Sequence, residues 1–198
     1  MRLAQLVDRN HGTLRGWVRM ALAQTAYALG GLDRYEQQDL RAVRRLVFVC
    51  LGNINRSAFA DAVACRRGLR SCSIGLSTTA GAPATPLARD TAARLGIDLT
   101  GHAATTLEDY RHQGGDLLLV MELRHLHWLV RHGVPVESIA LLGRWSAPLR
   151  IHLHDPHTLS AAYFETVFQL IHSAVDHLFA DLRRSGSPAV NHEHPADI

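Results

Sequence analysis

The sequence predicts an α/β domain: an open, mostly parallel four-stranded sheet with helices on both faces, preceded by a helical N-terminal extension. Short apolar runs at 46–49, 72–77, 117–121 and 138–142 alternate with longer segments of helical character. Leu117-Leu118-Leu119-Val120-Met121 is apolar at every position, as suits a central parallel strand covered on both faces. The 198 residues suffice for one domain of ordinary size with additions. The division expected is an extension over 1–45, a domain over 46–184 and a polar tail over 185–198.

In the extension, Leu14, Trp17, Val18, Ala21, Leu22, Thr25, Ala28 and Leu29 recur at helical spacing, with Arg15 and Arg19 off that face. This predicts a helix that packs its apolar face on the domain or on a second copy of the chain and stops at Gly30-Gly31. A second helix is predicted over 33–45. The 46–49 strand leads into an Ala-rich helix over about 57–68, followed by the 72–77 strand. Residues 86–95 form a helix, with Pro86 at its start and Gly96 at its stop. Further helices are expected over 123–132 and 160–183. The last carries Phe164, Val167, Phe168, Ile171, Val175, Leu178 and Leu182 on one face. Residues 185–198 read as a mobile tail.

Cys50-Leu51-Gly52-Asn53-Ile54-Asn55-Arg56-Ser57 joins the first domain strand to its helix, with the spacing Cys-x5-Arg. A strand that turns through a short loop into a helix aims backbone N–H groups at one hollow, and the helix dipole favours a dianion there. Gly52 and Asn53 suit the left-handed conformations such a loop demands. Arg56 can grip two phosphate oxygens with its planar fork. Helix N-termini beside arginines are where thiols ionise, so Cys50 reads as a nucleophile.

These residues resemble the C-x-G-N-x-C-R-S signature of the low-molecular-weight protein tyrosine phosphatases. Thr79-Ala80-Gly81, the stretch 97–104 with His102, and Asp116 through Met121 are similar to further motifs of that family. Gly143-Arg144-Trp145 resembles the Gly-x-Trp of bacterial members linked to exopolysaccharide export. The resemblance spans about 46–184. It implies a phosphomonoester hydrolase acting through a phosphocysteine intermediate on a phosphorylated protein (phosphotyrosine) or a small phosphate monoester. It assigns catalysis to Cys50, Arg56 and Asp155, the last as general acid and then base. It assigns phosphate binding to Leu51, Gly52, Asn53, Ile54, Asn55, Arg56 and Ser57, and supporting roles to Asn53, Ser57 and His102. Taken alone, Asp155 before Pro156 is a turn aspartate and Ser57 a helix N-cap.

Four departures stand out. Asn55 occupies the place of a second cysteine that can trap an oxidised nucleophile, so oxidation of Cys50 can run on to irreversible acids. Thr105 replaces an arginine. His157 replaces the aromatic residue after Asp-Pro. Ala82-Pro83-Ala84, expected to wall the pocket, lacks an aromatic ring to stack on a phenyl group.

Composition narrows the alternatives. A net charge of +3, carried entirely by arginine, is too small to indicate nucleic acid. No apolar run approaches the ~18 residues of a membrane span, and Arg15 and Arg19 break up any secretory leader, so no membrane contact is expected. Cys50, Cys65 and Cys72 make an odd count without C-x-x-C, which indicates a reducing compartment and a cytoplasmic protein. His152, His154 and His157 flank Asp155, and His125 and His127 lie close together. The same alternation recurs at His192 and His194 in the tail, so no metal and no other cofactor is expected. The alternatives are an arsenate reductase on a similar scaffold and a non-catalytic phosphate-binding module. The extension offers a surface for a homodimer.

Overall fold

A computed structural model describes residues 3–190. Strands β1 (Arg45–Cys50), β2 (Ser71–Gly75), β3 (Asp116–Val120) and β4 (Ile139–Leu141) form one sheet in the order β2-β1-β3-β4. Every neighbouring pair is parallel, with Val47 beside both Cys72 and Leu118. The helices are α1 (Leu3–His11), α2 (Leu14–Ala28), α3 (Arg56–Arg66), α4 (Pro86–Arg94), α5 (Leu123–Arg131) and α6 (Ala161–Ser185).

Alternation along the strands sorts the core into two layers. Leu46, Phe48, Cys50, Leu117 and Leu119 face α3, α4 and α6. Val47, Val49, Leu118, Val120, Ile139 and Leu141 face α5 and the N-terminal segment. Phe59 of α3 and Phe168 of α6 stack with ring centroids 4.1 Å apart. Burying each such ring contributes roughly 1.5–3 kcal/mol. Strand order reverses between β1 and β3, and ligands bind at such a switch point beyond the carboxyl ends of the strands. Cys50 is the last residue of β1.

The extension differs from expectation in three ways. The helix α1 has no counterpart in the predicted set. The helix α2 is present, N-capped by Thr13, whose Oγ1 accepts the Gly16 N–H at 2.9 Å, but it is turned the other way. Leu14, Trp17, Val18, Leu22 and Leu29 are exposed, whereas Ala23 and Gly16 are buried. Small residues decide this. A Cβ on Gly16 would stand 2.6 Å from the His154 ring, so only glycine lets the helix approach this closely. The helix expected over 33–45 is two single 3₁₀ turns, Asp33–Tyr35 and Leu40–Ala42. The Asp39 carboxylate accepts the Arg41 N–H, and Gln38 donates to the Ile139 carbonyl at 2.9 Å, so local side-chain bonds replace a helical ladder.

The tail also departs from expectation up to residue 190. Gly186 closes α6 in the left-handed conformation at φ 72°. Ser187 Oγ then donates to the Val43 carbonyl at 2.7 Å, and Ala189 is fully buried. The expected mobility over 191–198, with His192 and His194, lies outside the described residues.

At the opposite end of the sheet, Asp116 accepts Arg45 Nε at 2.8 Å, Arg45 Nη2 at 2.6 Å, the Tyr110 hydroxyl at 2.6 Å and the Gln113 N–H at 2.8 Å. Burial pushes its pKa up, but these donors outweigh burial and hold it below the ordinary value. A depressed folded-state pKa gives stability that is present above the unfolded value and lost as pH falls through the folded one. Asp116→Asn is therefore expected to cost about 2 kcal/mol at neutral pH. In urea unfolding, that difference should shrink as pH falls below about 4.

Candidate active site

The loop between β1 and α3 is fixed from outside. The carbonyl of Cys50 accepts the Leu76 N–H, that of Leu51 the Ser77 N–H, and that of Ile54 the Thr85 N–H. The Gly52 carbonyl accepts the Thr78 hydroxyl at 2.6 Å. The Asn53 carbonyl meets His102 Nε2 at 2.5 Å, which places the ring proton on that nitrogen. The Asn55 carbonyl accepts the Phe59 N–H within α3. In a trans peptide C=O and N–H point opposite ways. With the carbonyls from Cys50 through Asn55 turned out, the following N–H groups face the hollow.

Asn53 is the pivot. It takes the left-handed conformation at φ 48°, a role Gly52 does not share. Its N–H points at Cys50 Sγ (3.2 Å), and its Oδ1 accepts the Thr105 N–H at 2.8 Å. Its Nδ2 donates to Ser57 Oγ at 2.9 Å. Because that oxygen is already an acceptor, the Ser57 hydroxyl proton is free for Cys50 Sγ, 3.0 Å away. The sulfur thus lies within reach of two donors, the Asn53 N–H and the Ser57 hydroxyl. Asn55 accepts the Thr85 hydroxyl at 2.6 Å, so the position of the missing second thiol is locked into the scaffold.

Arg56 opens α3 with its side chain fully buried. Nη1 donates to Glu122 Oε1 at 2.6 Å and to the Leu153 carbonyl at 2.8 Å. Nη2 lies 2.8 Å from Asp155 Oδ2, off the line of a hydrogen bond, and Nε has no acceptor. Burial disfavours the guanidinium charge, but Asp155, Glu122 and Cys50 outweigh burial and raise its pKa. Burial likewise pushes Glu122 up, yet Arg56, His125 and Arg124 hold it well below the carboxylate range.

Asp155 reaches the site on a clamped loop. Gly143 admits the Arg150 carbonyl so closely that a Cβ could not fit. Leu153 N–H donates to the Met121 carbonyl at 3.0 Å, and the Tyr163 hydroxyl to the His154 carbonyl at 3.2 Å. The extension adds Gln24, whose Oε1 accepts the Ile151 N–H, and Arg150 donates to the Asn10 carbonyl. Cys50, Leu51, Gly52, Ile54, Asn55, Ser77, Asp155 and His157 line a cavity of about 190 Å³. Its wall is Ser77 and His157, not the expected 82–84. Cys65 and Cys72 are free thiols away from this cavity, and burial pushes Cys72 up to about 11.

Sequence reasoning brought Cys50, Arg56, Asp155, Asn53, Ser57 and His102 to one place. It missed Glu122, Thr85 and Thr78. Glu122 had a signal, being an acid directly after the apolar run of β3, where a sheet presents its ligands. Glu122, His152 and His154 also converge, and among the described residues this is the group placed to hold a cation.

A thiol in an oxyanion nest, at the switch point of a parallel sheet and sharing one cavity with the Asp155 carboxyl group, is the arrangement of a cysteine-dependent phosphatase site. The family model for low molecular weight phosphotyrosine protein phosphatase matches residues 45–188, and the chain belongs to that family of cysteine-nucleophile phosphoric monoester hydrolases. A probable low molecular weight protein-tyrosine-phosphatase, EpsP of Ralstonia solanacearum, is 30% identical over 149 residues, covering 73% of this chain and 99% of that protein. Wzb of Escherichia coli K12 is 32% identical over 129 residues, covering 64% and 86%. Among solved structures, the Erwinia amylovora tyrosine phosphatase amsI superposes with a TM-score of 0.61 at 28% identity, covering 70% and 93%. No helix among the described residues is long and apolar enough to cross a membrane.

Asn53→Ala removes two side-chain bonds and puts a less tolerant residue at a positive φ. It should weaken inorganic phosphate binding by about tenfold or more, read by calorimetry, since about 1.4 kcal/mol is one decade.

Proposed function

We propose that the chain hydrolyses phosphate monoesters, with phosphotyrosine on proteins as its substrate class, and that Cys50, Arg56 and Asp155 carry the chemistry. The observation behind this reading is the outward tying of every carbonyl from Cys50 through Asn55, which leaves N–H groups and the unpartnered Arg56 Nε for a phosphoryl group.

Cys50 Sγ attacks phosphorus in line, forming an S–P bond as the P–O bond to the leaving group breaks. Asp155 gives its proton to that leaving oxygen. Water then attacks the phosphocysteine, Asp155 takes its proton, and phosphate leaves as the thiolate re-forms. The loop N–H groups and Arg56 act on charge that spreads over the equatorial oxygens, so they favour the transition state over the ground state. Ser57 stabilises sulfur as leaving group. Asn53 and His102 hold the loop in shape. Leu51, more than a third exposed, and His157 flank the cavity mouth where a phenyl ring would lie. A thiolate nucleophile without a resolving partner works only in a reducing compartment, which supports a cytoplasmic setting.

p-Nitrophenyl phosphate and phosphotyrosine, phosphoserine and phosphothreonine peptides provide the test. Cys50→Ser should abolish phosphate release. Asp155→Asn should lower kcat by ~10²–10⁴, and a phosphotyrosine peptide should be the preferred peptide. Release that persists in Cys50→Ser, or thiol-dependent arsenate turnover without phosphate release, would overturn the reading.

A further inference from the structure

Behind Arg56, on the side away from the phosphate hollow, lies a group of polar atoms that neither the fold nor the proposed reaction uses. Glu122, His152 and His154 each offer a ligand atom within 4.8 Å of the others. Glu122 is fully buried and His152 nearly so. Glu122 spends one oxygen, Oε1, on both Arg56 Nη1 and Arg124 Nη2. Its second oxygen, Oε2, is buried without a partner, 3.6 Å from His152 Nε2, which is also unpartnered. His154 turns Nε2 towards Thr13 Oγ1 at 3.4 Å and leaves Nδ1 buried and unpartnered.

A buried carboxylate oxygen and buried imidazole nitrogens without partners are costly. One ion can satisfy all three residues at once. Two histidines and one glutamate form the donor set of open zinc sites, where a fourth position is left for water. A cavity of about 410 Å³ between α2 and the start of α5 reaches Glu122 and His152 past Arg19 and Ala23, so an ion and its water have a route in.

We propose that Glu122, His152 and His154 form a Zn²⁺ site at the seam between α2 and the phosphatase domain. Zinc bonds of about 2.0–2.2 Å need only modest side-chain rotation to draw these atoms together. The guanidinium groups of Arg56 and Arg124 on Oε1 oppose the ion, which sets its affinity below that of a structural zinc site. The three ligands come from the end of β3 and from both sides of Leu153, the two segments that also hold Arg56.

The test uses metal-free full-length protein in which Cys50, Cys65 and Cys72 are changed to Ser, so that no thiol competes. Zinc titration by calorimetry should find one ion per chain. Co²⁺ should give visible ligand-field bands without thiolate charge transfer. His152→Gln and His154→Gln, each checked for folding by circular dichroism, should each lose at least about tenfold in affinity. In the chain with both histidines intact, the His152 and His154 ring resonances should shift with zinc, a readout that needs no substitution at the site. Absence of zinc binding, binding unchanged in both variants, binding lost only when His192 and His194 are replaced, or ring resonances that stay still would each overturn the site. None of these measurements depends on turnover, so the phosphatase reading stands or falls separately.

Discussion

The buried guanidinium of Arg56 is the constraint around which the rest is arranged. A charge taken fully out of water survives only where opposite charge and acceptors meet it. Here they come from two separate stretches of chain: Glu122 after β3, and the loop that supplies both the Leu153 carbonyl and, two residues on, Asp155. Satisfying one side chain therefore draws the phosphate loop, the end of the central strand and the acid-bearing loop to a single point. Removing it would strip Asp155 of its guanidinium partner and leave Glu122 only Arg124, so the residue proposed to grip the phosphoryl group also holds the site together.

The N-terminal extension adds a second layer of support. It packs through Gly16 and Ala23 and not through its large apolar side chains, so its backbone lies directly against His154. Thr13, Gln24 and Asn10 then reach the loop that carries Asp155. The family match begins at residue 45, so this brace belongs to what the chain adds to the shared domain.

The sheet and the nucleophile loop were legible because their signals are local. A continuous apolar run, a Cys-x5-Arg spacing and a proline at a helix start each act within a few residues. The extension was misjudged because periodicity weighs side-chain size, whereas docking here was decided by close approach at a glycine. The 33–45 stretch was misjudged because single side-chain bonds from Asp39 and Gln38 outcompeted a short helix. Glu122 escaped notice because its partner is 66 residues away in sequence, and only the parallel sheet brings the two strand ends together.

The oxyanion hollow is made of main chain, and its carbonyls are fastened from behind by Leu76, Ser77, Thr78, Thr85 and His102. Such a cradle recognises a tetrahedral dianion and is indifferent to what the dianion is attached to. On the proposed function, choice among clients falls to Leu51, Ser77 and His157, which line the same cavity but are not assigned to the chemistry. Evolution could therefore redirect a protein of this design to a new target by exchanging Leu51, Ser77 or His157, without repairing the chemistry afterwards.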